Sequence, residues 1–266
     1  MSGDPRPVGM FDSGVGGLTV LAEITAQHPH EPVIYVADQR WAPYGDRSLE
    51  EVRVRSAQVA GQLVDVGAKL VVVACNSASV AALHHLRDMY PGYPFVGIEP
   101  AVKPAALMSE SRVVGVLATA VTFQGKLFAG LVERHAKGAR VLTGAARGLA
   151  DLVDDGLEDS NEAREILVEV LEPMVAERMD TLVLGCTHYP FLLDLIRTIV
   201  GDGVTIIDPA PAVARRVGSL LDEHSLRTTS TDSGMVRFHT TLDPDRLAIV
   251  IEGLTGKAPE LAPTRW

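Results

Sequence analysis

Residues 182–190 read LVLGCTHYP, a short apolar run carried straight into Cys186, Thr187 and His188. Residues 71–79 read VVVACNSAS, where Cys75 again ends an apolar run and again precedes small polar residues. The chain has 2 cysteines, and both occupy this setting, 111 residues apart. Two further echoes accompany them. VGMFDS at 8–13 is matched by VGVLAT at 114–119, and VGIEPAV at 96–102 by TIIDPAPAV at 205–213. Three echoes in one order, at offsets of 106, 111 and 109 residues, point to two similar halves.

The pattern around these stretches sets the fold class. The apolar runs VGMF (8–11), VIYVA (33–37), LVVVA (70–74), FVGI (95–98), VVGVL (113–117), TLVLG (181–185) and VTII (204–207) are short and rich in Val and Ile. Most lack in/out alternation, the signature of strands buried on both faces of a parallel sheet. Helical patterns lie between them. SLEEVRVRSAQVAGQLVDVG (48–67) opens with a capping box, Ser48 and Glu51, and offers Gly67 as a C-terminal stop. EAREILVEVLEPMVAERM (162–179) is a second helix, with Pro173 expected to kink it. The expectation is an α/β fold of two similar, pseudo-symmetric domains, each a mostly parallel sheet flanked by helices. The expected domains are residues 1–97 with 209–266, and residues 98–208. The segment after 210 is expected to return to the first half through a helix and a strand at MVRFH, and the tail APTRW (262–266) to be a loose end.

Composition narrows the function. At 266 residues the chain has room for one large domain or two of ordinary size, and its 47% apolar content is enough for full cores. A net charge of −10 argues against an extended nucleic-acid surface or an anionic membrane partner. The N-terminal stretch MSGDPRPVGMFDSG holds no apolar signal region, and no run approaches the ~18 residues of a membrane span. The expected location is cytoplasmic, where two cysteines are thiols rather than a structural disulfide.

In open α/β sheets ligands bind at the carboxyl ends of the strands. Cys75 and Cys186 both sit at a strand end and a helix start, so a cleft between the domains would carry both. A helix dipole is worth roughly 0.3–1 kcal/mol, up to ~2 when partly buried, which lowers a thiol from about 8.5 to somewhere above 7. The competing reading is a pair of small buried hydrophobes. His188 is placed to relay a proton to Cys186, and Asp12, in FDSGVGG, to do so for Cys75 or to cap the following helix. FDSGVGGLTV lacks the third glycine of a dinucleotide loop, because Thr19 stands there. Its glycines fit a tight turn that brings backbone amides near a ligand. In WAPYGDRS (41–48), Pro43 and Gly45 shape a loop in which Tyr44 is a ligand contact or an aromatic plug. Thr119 and Thr122 in LATAVTF are hydroxyls at another strand end, or helix caps. The 8 histidines show no metal spacing and no lysine sits at a strand end, so neither a metal nor pyridoxal phosphate is indicated.

Two acid/base groups of one type on opposite walls suit one reaction: a proton leaves a stereocentre on one face and another arrives on the opposite face. FDSGVGGLTV, PYG, ACNSAS and LGCTHYP, in this order and spacing, resemble the glutamate racemase branch of the aspartate/glutamate racemase superfamily, from about residue 8 to about 220. The resemblance implies cofactor-independent interconversion of L- and D-glutamate, supplying D-glutamate for peptidoglycan and cell shape. It implies that Cys75 acts on the D-enantiomer and Cys186 on the L-enantiomer, assisted by Asp12 and His188. It further implies that Ser13, Pro43, Tyr44, Gly45, Asn76, Ser77, Thr119, Thr122 and Thr187 hold the carboxylates and amine. Asp38 matches a family aspartate, and Asp154 stands where the family has a glutamate beside the histidine. Ser77 replaces the usual threonine, and Ala146 and Arg147 replace the usual Cys-Pro. Expected partners are the small-molecule substrate and a second copy of the chain, with no nucleic acid and no membrane. The competing functions are a racemase of the same superfamily acting on aspartate or another small acid, and a non-catalytic thiol redox or binding protein.

Overall fold

Strands that are apolar on both faces must be covered on both sides, and the helices between them provide that cover. The computed structural model describes residues 3–124 and 126–262, so tail residues 263–266 lie outside the described residues. The chain begins with β1 (Val8–Asp12), α1 (Leu18–Gln27), β2 (Val33–Ala37), α2 (Leu49–Asp65), β3 (Leu70–Val73), α3 (Asn76–Met89) and β4 (Phe95–Gly97). It continues through α4 (Val102–Met108), β5 (Val113–Ala118), α5 (Ala120–Gln124), α6 (Lys126–His135), β6 (Arg140–Ala145), α7 (Leu149–Asp154), α8 (Asn161–Ala176), β7 (Thr181–Gly185), α9 (Leu193–Val200) and β8 (Thr205–Ile207). It closes with α10 (Ala210–Glu223), β9 (Val236–Thr240) and α11 (Pro244–Thr255).

The strands form two sheets, ordered β4-β3-β1-β2-β9 and β6-β5-β7-β8. Every pairing is parallel. The first four strands of one sheet and the four of the other follow the same order, β1 matching β5, β2 matching β6, β3 matching β7 and β4 matching β8. Three of those four pairs are the sequence echoes. β6 is an addition: RVLTGA was not expected as a strand, and its mostly exposed or half-buried residues explain why. It lies at a sheet edge and, unlike the edge strands β4 and β8, mixes Arg140, Thr143 and Gly144 with its apolar residues. β9 extends the first sheet beside β2, and α10 packs on α1, so the end of the chain does return to the first half.

Local signals behave as their chemistry requires. Ser48 and Glu51 form a full capping box on α2. Gly67, at φ 86°, ends that helix, with Ala68 N–H bonded to Leu63 O and Gly67 N–H to Val64 O, the paired bonds of a left-handed stop. α8 runs through Pro173 and stops three residues later at Ala176. One apolar core continues from Val8, Leu18 and Leu70 into Leu117, Leu149 and Leu182, tying the two sheets together. At the amino end of the first sheet, Lys69 Nζ meets Glu31 at 2.5 Å and Asp4 O at 2.8 Å, while Glu31 also accepts the Thr228 amide at 3.0 Å. That buried pair fastens the chain's beginning and its returning segment to the sheet.

Candidate active site

A cavity enclosing about 520 Å³, its open mouth included, lies at the carboxyl ends of both sets of strands. Cys75, from the first sheet, and Cys186, from the second, both line it. Ser13, Pro43, Tyr44, Gly45, Asn76, Ser77, Thr119, Thr187 and His188 line it too. Thr122, Asp12, Asp38 and Asp154 stand one layer behind, each bonded to a residue of the wall.

Cys75 is the residue before α3, held at the end of β3 by the Ala74 N–H bond to Phe11 O. Its Sγ lies 3.8 Å from Ser13 Oγ, and Ser13 Oγ lies 3.5 Å from Asp12 Oδ1. Asp12 therefore reaches this thiol through the Ser13 hydroxyl. Burial, then the Asp12 carboxylate, push the Cys75 thiol up to about 12, although the Ala78 amide pulls the other way. This reverses the expected lowering. A helix end supplies about 1 kcal/mol, and loss of water from a buried thiolate outweighs it. Asp12 does not cap α1 either. Its Oδ1 accepts the Gly14 amide at 2.9 Å and its Oδ2 the Thr187 hydroxyl at 3.0 Å, while Gly17 opens the helix without a side-chain cap. Burial raises the Asp12 carboxyl, opposed by the charge on His188.

Cys186 directly follows β7 but does not start an α-helix. A 3₁₀ turn, Tyr189–Leu192, intervenes before α9. Its neighbour is His188, whose Nδ1 lies 3.6 Å from the sulfur. The other ring nitrogen, Nε2, lies 3.2 Å from Asp154 Oδ1. Burial opposes charge on this imidazole, but the Asp154 carboxylate and its hydrogen bond, then Cys186, hold it well above its ordinary 6.5. Asp154, one methylene shorter than the glutamate of the resemblance, thus still reaches the ring.

The glycine loop after β1 serves the opposite half rather than a phosphate. Its Val15 amide donates to Asp154 at 2.9 Å, and its Gly16 nitrogen lies 3.2 Å from His188 Nε2. Thr19 Oγ1 donates to Thr187 O at 3.2 Å. A Cβ at Gly14 would overlap the Asp154 carboxylate, and one at Gly16 the His188 ring. Close approach, not a left-handed turn, is what these glycines provide.

Polar groups complete the walls. Ser77 Oγ, Thr119 Oγ1 and Thr122 Oγ1 form a chain of hydroxyls at 3.0 and 2.9 Å that crosses between the halves. Both side-chain amide atoms of Asn76 are buried without a hydrogen-bond partner. An unpaired buried polar atom costs about 1–3 kcal/mol, so this side chain is built to be met by a polar ligand. Tyr44 presents its ring to the cavity, and its hydroxyl donates to Asp38 at 2.6 Å. Arg55 grips the same carboxylate with two bonds, at 2.7 and 2.6 Å. Sequence reasoning missed Arg55. The available signal was a charge inside the apolar stripe of α2, between Val52 and Val59. Asp46, Gly148 and Asp151, which line the cavity, were missed as well, and Ala146 and Arg147 were marked only as departures from the resemblance. Among the described residues no group of three or more His, Cys, Asp or Glu could hold a metal ion, and no helix is long and apolar enough to cross a membrane.

Two duplicated parallel sheets with a thiol at the matching strand end of each define a class of protein, and comparison gives it a family. The chain belongs to the Asp/Glu/hydantoin racemase family, whose model matches residues 13–217. Within it, the glutamate racemase of Roseiflexus sp. (strain RS-1) is 48% identical over 250 residues, 94% of this chain and 92% of that protein. The crystal structure of glutamate racemase isoform RacE1 from Bacillus anthracis superposes with a TM-score of 0.87 at 31% identity, covering 97% of each chain. Glutamate racemase from Francisella tularensis, solved in complex with D-glutamate, gives a TM-score of 0.85 at 28% identity, covering 97% of this chain and 96% of that one.

Proposed function

We propose that the chain is an isomerase that interconverts L- and D-glutamate without a cofactor, by a two-base mechanism. The observation that carries this reading is the pair of thiols, one from each sheet, on the wall of a single cavity. The kinship with a glutamate racemase at 48% identity over 94% of this chain supports the substrate.

For L-glutamate, Cys186 as thiolate removes the α-proton and the Cys75 S–H delivers a proton to the opposite face. Configuration inverts, and the two sulfurs have exchanged protonation states for the reverse reaction. The high value of Cys75 suits the acid in this direction. His188, held protonated by Asp154, donates toward Cys186 and stabilises its negative charge. On the other side Ser13 and Asp12 accept the Cys75 proton by relay when D-glutamate is the substrate. Charge developing on the substrate carboxylate as the carbanion forms is met by preorganised donors, Asn76 with Ser77 and Thr187. Pro43, Tyr44, Gly45, Thr119 and Thr122 shape the remainder, with Asp38 holding Tyr44. The proposed division is residues 1–97 with 209–266 facing residues 98–208 across this cavity. Two free thiols suit a reducing cytoplasm. The proposal extends to a homodimer, measurable by sedimentation velocity, and to supply of D-glutamate for peptidoglycan.

The test is exchange of the α-hydrogen in deuterated water, run separately with L-glutamate, D-glutamate and L-aspartate on protein dialysed free of metals. Exchange with inversion is expected for both glutamates. Activity on aspartate alone, or a reversible disulfide with no exchange into any amino acid, would reject the reading.

A further inference from the structure

Arg147 precedes Gly148 at the turn between β6 and α7, and both line the cavity that holds the thiols. Gly148 adopts φ 77°, a conformation glycine takes without strain, which reverses the chain and leaves Arg147 on the rim. The other arginines near this wall are engaged: Arg55 on Asp38, and Arg47 on the Trp41 carbonyl and ring. Arg147 is exposed and has no hydrogen bond, ion pair or ring contact among the described residues. His188, the remaining basic side chain of the wall, is occupied by Asp154 and Cys186.

The charge balance of the cavity gives Arg147 a task. Two carboxylates, Asp46 and Asp151, line the same cavity, and the side chain of neither has an ion pair or hydrogen bond among the described residues. The proposed substrate is itself net anionic, with two carboxylates and one ammonium. Its reacting carbon must sit between the sulfurs, so its head group meets Asn76 and the hydroxyls beside them. The second carboxylate, three carbon–carbon bonds from that carbon, needs a cationic partner in a cavity whose other unpaired charged side chains are acidic.

We propose that Arg147 is a specificity-determining residue that receives the substrate's side-chain carboxylate, so that the site selects dicarboxylic amino acids over neutral ones. A guanidinium presents a planar fork of donors that matches a carboxylate. This inference rests on the racemase reading.

Steady-state kinetics on the full chain test it. Arg147→Ala should raise KM for both glutamate enantiomers about tenfold while kcat changes less, the pattern of binding lost equally from ground and transition states. Arg147→Lys should recover part of the loss. The preference for glutamate over glutamine, read as α-hydrogen exchange, should narrow by a similar factor in Arg147→Ala. Added salt should raise KM more steeply in the parent than in the alanine variant. If the parent is active on glutamate and Arg147→Ala keeps both its KM and its preference, the inference is overturned and the racemase reading stands. A fall in kcat at unchanged KM overturns it equally. A parent protein inactive on glutamate in the same assay defeats the racemase reading and this inference with it.

Discussion

The carboxylate of Asp154 lies 3.2 Å from Nε2 of His188, and the glycine loop of the opposite half touches both through the amides of Val15 and Gly16. The residue that charges the imidazole is thus also a fastening between halves. Asp154→Asn should lower kcat/KM about tenfold to a hundredfold, within the range of a positioned acid or base. The limb of the pH–rate profile that reports His188 should move to lower pH, because the charge that holds the ring protonated is gone. The linked stability has a definite sign. His188 is raised in the fold, so the pair's contribution is complete below the unfolded value of about 6.5 and is lost as pH rises through the higher folded value. The difference in Tm between parent and Asp154→Asn should be largest near pH 6 and shrink above it.

Replacing either thiol tests the division of labour. Cys75→Ser and Cys186→Ser should both abolish racemisation. Cys75→Ser should still exchange hydrogen slowly from L-glutamate, and Cys186→Ser from D-glutamate, read by mass spectrometry of each recovered enantiomer. Full racemisation by a Cys186→Ala protein would contradict a two-base reaction.

The raised Cys75 value has its own signature. In a Cys186→Ser background, alkylation of Cys75 by iodoacetamide should be slow at pH 8 and should keep climbing through pH 10 without levelling, since ionisation centres on about 12. Adding Asp12→Asn removes the neighbouring anion and should quicken alkylation at pH 8. A plateau near the ordinary thiol range of about 8.5 would show that the sulfur is better solvated than its burial implies.

Far from the cavity, Lys69→Met should cost about 3–5 kcal/mol in urea unfolding, because it leaves Glu31 buried with its charge uncompensated. Replacing Lys69 and Glu31 together by apolar residues should recover much of that loss, as a double-mutant comparison would measure.

Much of this was legible along the chain. β1, β2, β3, β4, β5, β7 and β8 were marked by apolar runs, and α2 by its capping box and terminal glycine. The thiols, and the hydroxyls and amide around them, were found because they follow those runs directly. β6 escaped notice because Arg140, Thr143 and Gly144 break up its apolar residues. Arg55 escaped because its partner, Asp38, lies 17 positions back, in a loop rather than on its helix. Arg147 was visible as a departure from the family pattern, but its position on the cavity wall depends on where the turn at Gly148 points it.

The sequence by itself determined the alternation of strand and helix, the doubling into two similar halves and the placing of one thiol at the matching strand end of each. Those are short-range properties: which side chains can be buried on both faces, which residues cap or stop a helix, and how often the pattern repeats. Only the tertiary structure decided the charge states and the partners. Val15 finds Asp154 across 139 residues and Gly16 finds His188 across 172, and no local pattern encodes such a pairing. Whether a strand-end thiol is lowered by a helix or raised by burial depends on how much water the assembled walls exclude, and for Cys75 the walls win.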